Sequence, residues 1–226
     1  MKKTAYLIFA LVLPVIGIAQ NAAADFSAMH NAYLNNYLSL DFEVKQYSTE
    51  SDKTGTVVGT GKIRKSKSDY YSIFDGQEMI IADNKMLNID HQGKKMSYYQ
   101  FLSAEKTAKA NAAVMDTFLL EQADSVKYNG TNTDGKRYSI YSSGNDAYRI
   151  DITIDAATNL VREIVYYYPP ATTDNDYGAY KVVIHYSLLS NTKPDAGYFN
   201  LKKYILDGKN PQATSTYSNY HFTIIN

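Results

Sequence analysis

The chain contains no cysteine and no tryptophan. Without cysteine there is no disulfide, no thiolate metal site and no amino-terminal thiol to carry a lipid anchor. Without tryptophan the preferred sugar-stacking side chain is missing. Proline is scarce, at 5 residues in 226, and no stretch is rich enough in proline, glycine or serine to act as an interdomain linker. Charge of one sign is also missing, with 23 basic and 23 acidic residues, so neither nucleic acid nor an anionic membrane surface is favoured as a partner.

Grouped catalytic residues are absent as well. His30, His91, His185 and His221 lie far apart and form no ligand pair, so no metal site is expected. The serines of "YSIYSSGND" lack a nucleophile elbow. "GTGKIRK" lacks the Gly-Lys-Ser/Thr ending of a phosphate loop and falls between strands rather than before a helix. Asp151 and Asp155 share a strand face, a pattern that suits carboxylates opposite Lys or Arg better than an acid/base dyad or a calcium site. The chain is therefore expected to be no enzyme and to need no cofactor. An exported hydrolase or glycan-binding protein using Asp and Tyr side chains is the alternative from another class.

The only long apolar run lies at the start. Lys2 and Lys3 precede an almost unbroken apolar stretch from Ala5 to Ala19, and Gly17 with Ala19 satisfies the small-residue rule for cleavage before Gln20. Residues 1–19 read as a secretory signal peptide, with a cut after Ala24 as a second possibility. Pro14 and Gly17 interrupt the run, and a membrane span needs about 20 apolar residues. Loss of Lys2 and Lys3 leaves 21 basic against 23 acidic residues, a net charge of −2. A soluble, periplasmic, monomeric chain is expected.

Tyrosine is what the chain has in abundance, with 22 copies beside 8 Phe. Such a composition favours strands and surfaces that are apolar yet tolerate water at the ring tip. Residues 25–38 place Phe26, Met29, Tyr33 and Tyr37 at helical spacing behind Asp25 as N-cap. From Leu38 the period falls to two, with Leu38, Leu40, Phe42 and Val44 on one face. Short strands follow, with turns at Asp83-Asn84-Lys85 and His91-Gln92-Gly93, which suggests a meander.

Residues 103–122 are helical in composition, with Ser103 as N-cap and Ala108, Ala112, Met115 and Leu119 on one stripe. More strands follow, including "AYRIDITID", a turn at Ala157-Thr158-Asn159, "LVREIVYYY" ended by Pro169-Pro170, and "YKVVIHYSLL". "GYFNLKKYI" reads as a turn or short helix and "NYHFTIIN" as a last strand. In "VREIVYYY", Ile164, Tyr166 and Tyr168 face one side and Val165 and Tyr167 the other. Those rings suit core under a helix, a cavity wall or a sugar platform. The total is one mostly β, α+β domain over 20–226, with about nine to eleven strands and two helical segments.

One segment carries a resemblance. Between Tyr33 and Tyr99 the chain runs from the helix to "LDFEVKQ", "GTGKIRKSKSDYYSIF" and "EMIIADNKMLNID". Asp41-Phe42, Gly61 with Ile63, aromatic Tyr71 and the Asp83-Asn84-Lys85-Met86-Leu87 turn resemble the periplasmic lipoprotein carrier family LolA, its relative LolB and the lipid-sensing domain of RseB. "YFNLKKYI" resembles the closing segment of that family. Ser68, Ser72 and Ile73 stand where the family has proline, arginine and tryptophan, so its arginine-held lid does not carry over.

The resemblance implies a single antiparallel sheet curled into an unclosed half-barrel, with helices over an apolar concave face. It implies a carrier or chaperone for acyl chains of lipoproteins or lipids, taking cargo from an inner-membrane donor complex to an outer-membrane acceptor. A lipid-sensing or partner-docking accessory protein of the same fold is the alternative. The expected cavity residues are Leu40, Phe42, Val44, Ile63, Tyr71, Ile73, Met79, Ile81, Leu87 and Ile89. The expected lid is Ala108, Ala112, Met115 and Leu119.

Overall fold

The computed structural model describes residues 17–100, 123–144, 146–169, 178–206, 208 and 210–225. Its first element is helix α1, Gly17–Leu34. Asp25 was expected to cap the start of the helix, but it lies inside α1, because the alanine-rich stretch before it has high helix propensity and extends the helix upstream. Both expected cleavage points, after Ala19 and after Ala24, fall within α1. At the other end Asn35 and Asn36 stop the helix, so Tyr37 opens the first strand rather than completing the helical stripe.

Six strands follow as a meander: β1 Tyr37–Tyr47, β2 Thr56–Ser66, β3 Asp69–Phe74, β4 Gln77–Ala82, β5 Lys85–Asp90 and β6 Lys95–Tyr99. Two-residue turns link the inner strands: Asp75-Gly76 and Asp83-Asn84 all take positive φ, the conformation Asp, Asn and Gly tolerate best. A second meander comprises β7 Ser125–Asn132, β8 Gly135–Tyr141, β9 Arg149–Ile154, β10 Val161–Tyr167 and β11 Lys181–Ser190. The turn at residues 157–159 is organised by Asp155, whose carboxylate accepts from the Thr158 amide at 2.8 Å and from Arg162 at 2.6 Å. Asp151 accepts from the Ser139 hydroxyl at 2.6 Å and lies 3.3 Å from Arg149, the strand-face pairing expected for both aspartates.

The two meanders meet on β1, which pairs with β2 on one side and β11 on the other. The carboxy-terminal tail then crosses the first meander through 3₁₀ turns at Ala196–Phe199, Leu201–Lys203 and Ser215–Tyr217. It carries a small pair, β12 Ile205–Leu206 with β13 Gln212–Ala213, and ends in β14 His221–Ile225. β14 lies beside β6 in parallel. Among the described residues the main sheet has twelve strands, in the order β14-β6-β5-β4-β3-β2-β1-β11-β10-β9-β8-β7, and its two end strands do not pair with each other.

Two expectations change. Among the described residues the strands number fourteen rather than nine to eleven, and the sheet is not purely antiparallel, because the tail delivers β14 alongside β6. One α-helix is found among the described residues, and the second expected helix, 103–122, lies outside them. The expected lid residues Ala108, Ala112, Met115 and Leu119 lie outside the described residues.

Each face of the sheet carries a core. On the helix face, Phe26, Met29 and Tyr33 of α1 pack against Leu38 and Leu40 and against Tyr138, Ile140, Ile150, Ile152 and Ile164 of the second meander. The helix is also pinned by polar groups. Lys136 donates to Asp25 at 2.6 Å and the Tyr138 hydroxyl donates to the same carboxylate. Buried Lys65 donates to the Tyr33 carbonyl at 3.2 Å, supplying a cation at a helix end that has no basic residue of its own. On the opposite face, here the tail face, Tyr71, Ile80, Leu87, Ile89, Met96 and Tyr98 pack under Phe199, Leu201 and Ile205. Ile164 and Tyr166 of β10, and Tyr168 just after it, belong to the helix-face core, while Tyr167 points away and lies under the Arg149 guanidinium at 3.7 Å.

Candidate functional site

Register decides which of the expected cavity residues share a surface. Leu40 lies opposite Ile63, and Phe42 opposite Gly61 and Tyr186, so these belong to one face with Val44. Across β3 and β4 that face continues through Ser72, Phe74, Met79 and Ile81. Tyr71, Ile73, Leu87 and Ile89 point the other way, into or beside the tail-face core. The ten residues thus divide six to four between opposite faces. The signal for that division is the alternation of β3, where Tyr70, Tyr71, Ile73 and Phe74 are apolar on both sides and leave the orientation open.

On the helix face, β2 carries two glycines where neighbours carry rings. A Cβ on Gly61 would clash with the edge of the Phe42 ring, and one on Gly59 would stand 2.8 Å from the Phe74 ring. Lack of side chains on β2 therefore lets both rings lie down over the strand. Phe42 and Phe74 stack at 5.7 Å and 24°, and Tyr186 tilts onto Phe42 at 5.7 Å. Burial pushes the Tyr186 hydroxyl far above the usual phenol range, so this ring stays neutral and behaves as apolar surface.

The result is an aromatic floor spanning β11, β1, β2 and β3. Its outer ring, Phe74, is 37% exposed. Beside it lies a hollow of about 540 Å³ lined by Ser72, Phe74, Asp75, Gln77, Glu78, Met79 and Asn88. Such a surface offers dispersion contact and a flexible thioether; of the two carboxylates at its edge, Asp75 sits in the β3–β4 turn and Glu78 pairs with Ile73 on the tail face. Neither glycine was linked to a ring in the sequence, because strand pairing alone brings residue 61 to residue 42.

The tail face holds a second hollow, of about 880 Å³, lined by Glu43, Lys62, Tyr71, Ile73, His185 and Tyr198 among others. Several of its polar side chains have partners: Glu43 lies 3.0 Å from Lys45, His185 3.6 Å from Glu163, and Asp41 2.5 Å from Arg64. Arg64 also donates to the Leu40 carbonyl at 2.7 Å and lies 5.0 Å from the Tyr198 ring centroid, which ties the tail to the sheet.

Next to that hollow, the carboxylate of Glu78 is almost fully enclosed, with 6% of the residue exposed. Tyr204 donates to its Oε1 at 2.7 Å, His91 Nε2 lies 2.7 Å from Oε2, and Tyr71 also bonds it. The Tyr220 hydroxyl sits 3.1 Å from His91 Nδ1. Burial, and after it the Glu78 charge, hold the Tyr71 and Tyr204 hydroxyls far above their ordinary range. This network fastens the tail to β4 and β5 and accounts for several of the tyrosines. Among the described residues no group of three His, Asp or Glu side chains is arranged to hold a metal ion.

No protein-family model and no curated protein matches the chain by sequence. Solved structures do match it. MucB aligns at 12% identity with a TM-score of 0.50, over 86% of this chain and 65% of that one. MucB from Pseudomonas aeruginosa in its complex with MucA matches at 12% identity and a TM-score of 0.49, over 86% and 63%. The chain thus spans a little under two thirds of MucB's length. The LolA superfamily protein NE2245 from Nitrosomonas europaea is also among the matches, at 8% identity and a TM-score of 0.32, over 79% and 98%. At 12% identity the likeness to MucB is one of fold.

Proposed function

We propose that the protein is a non-enzymatic carrier that shelters the acyl chain of a lipid or lipoprotein on the aromatic floor of the helix face. The observation behind this reading is the pair of glycines in β2, which lay the Phe42 and Phe74 rings flat beside an open hollow. A smooth aromatic surface with one ring exposed to solvent suits a flexible hydrocarbon, and each CH₂ removed from water contributes about 0.8 kcal/mol without any catalytic group. Leu40, Phe42, Val44, Ile63, Met79 and Ile81 are the expected cavity residues that share this face; Tyr71, Ile73, Leu87 and Ile89 stabilise the tail instead. In this reading residues 1–19 direct export, and the carrier works in the periplasm between an inner-membrane donor and an outer-membrane acceptor.

A test is titration of the purified protein with a long-chain fluorescent fatty acid, together with native mass spectrometry of the protein as isolated. Phe74→Asp should weaken binding at least tenfold, whereas Lys62→Ala, on the opposite face, should leave it unchanged. Failure of the unaltered protein to bind the probe, or equal loss in both variants, would remove the proposal.

A further inference from the structure

The two ends of the twelve-stranded sheet are built differently. At one end, β7 is broken by a bulge between Tyr128 and Thr131 and carries Lys127 and Gly130, devices that discourage another strand from pairing. At the other, β14 reads His-Phe-Thr-Ile-Ile, with no lysine, proline or bulge, and its register with β6 is unbroken from His221 to Ile225. The His221 amide bonds the Lys94 carbonyl at 2.8 Å, so alternate amides, those of Thr223 and Ile225, turn toward β6. The amides and carbonyls of Phe222 and Ile224 turn outward from the sheet edge, and Ile224 is 39% exposed.

We infer that the β14 edge is a docking site for an extended segment of a partner protein, which adds to the sheet as a thirteenth strand. Length favours a peptide over a second copy of the chain. Five residues at about 3.3 Å each give an edge of about 17 Å, too short by itself to bury the roughly 1,200 Å² at which stable protein pairs begin. Main-chain bonds along such an edge are enough to hold one added strand.

Side chains define its chemistry. Phe222 and Ile224 lie on the tail face, Phe222 stacked on Tyr98 at 6.3 Å, so alternate residues of the incoming strand are apolar there. At the start of β14, Lys94 and His221 are both exposed, so an acidic residue is matched to that end. The site is independent of the acyl floor, which belongs to other strands and the other face.

The experiment is fluorescence anisotropy of the full chain with a labelled hexapeptide of valine alternating with threonine and carrying one terminal aspartate. Saturable binding is expected. Ile224→Pro removes an outward amide without touching the β6 ladder and should weaken binding at least tenfold with the circular dichroism spectrum unchanged. If that variant does not fold, Ile224→Lys, a charge on the edge, should have the same effect. Lys94→Glu should weaken this peptide several-fold and favour one carrying lysine in place of aspartate. Phe74→Asp should leave peptide binding intact. No saturable binding, or binding that survives both Ile224 substitutions, would overturn the proposal. So would a concentration-dependent dimer that either Ile224 substitution abolishes, since that would assign the edge to a second copy.

Discussion

The helix face and the tail face bury apolar surface by different means, and the helix-face core is the larger. Under α1 the second meander presents Ile140, Ile150, Ile152, Ile154 and Ile164, an aliphatic layer that holds by close packing. Beneath the tail, apolar contact is supplemented by tyrosine hydroxyls converging on one enclosed carboxylate, Glu78. An aliphatic layer tolerates small shifts of its cover, whereas a hydrogen-bonded carboxylate accepts one arrangement of its donors. The tail is therefore positioned more specifically than the helix, and the helix is held by more of the non-directional energy.

The largest effect should come from the aliphatic layer. Ile152, 2% exposed, has no room to collapse, and Ile152→Ala should cost about 2–5 kcal/mol of unfolding free energy, measured with denaturant. Glu78→Gln should cost less, about 1–3 kcal/mol, because it spoils bonds without leaving a cavity. Hydrogen exchange would show the contrast directly: in Glu78→Gln, protection should fall first in β14 and the tail turns while β8–β10 stay protected. Uniform loss across both faces would erase the proposed difference.

Asp25 sharpens the comparison through pH. Burial alone would raise its carboxyl, but bonds from Lys136 and Tyr138 and the Lys136 charge outweigh that and hold it below the ordinary 3.8. A lowered carboxyl stabilises the fold fully above its unfolded value, and that contribution is lost as pH falls through the lower, folded value. Asp25→Asn should therefore destabilise by about 1 kcal/mol at neutral pH and flatten the acid limb below about pH 3.8.

The smallest signal is spectroscopic. Burial pushes Tyr33 up to about 12, and Tyr71 and Tyr204 are raised by burial and by Glu78. A raised phenol contributes stability below its unfolded value near 10, which is lost as pH rises through the folded one. Absorbance titration should show these rings ionising after the exposed tyrosines, together with loss of the fold.

Most strands were legible in the sequence, because alternation and turn residues such as Asp83-Asn84 act locally. The start of α1 was not, since Ala22, Ala23 and Ala24 propagate a helix past an acidic residue that would otherwise begin one. The site was half legible. Leu40, Phe42 and Val44 alternate visibly, but whether Ile63 shares a side with Phe74 or with Ile73 is fixed by the register of β2 against β3. The bond between Glu78 and Tyr204 joins residues 126 apart, and no local pattern announces it.

The seam at β1 has a consequence for how the molecule comes into being. This strand is made among the first, yet β11, which covers its second side, is made more than a hundred residues later. Until then a half-finished chain presents a long, unsatisfied strand margin to every neighbour. Only the arrival of the last strand of the second meander covers that margin, so the order of synthesis leaves the middle of the sheet open longest.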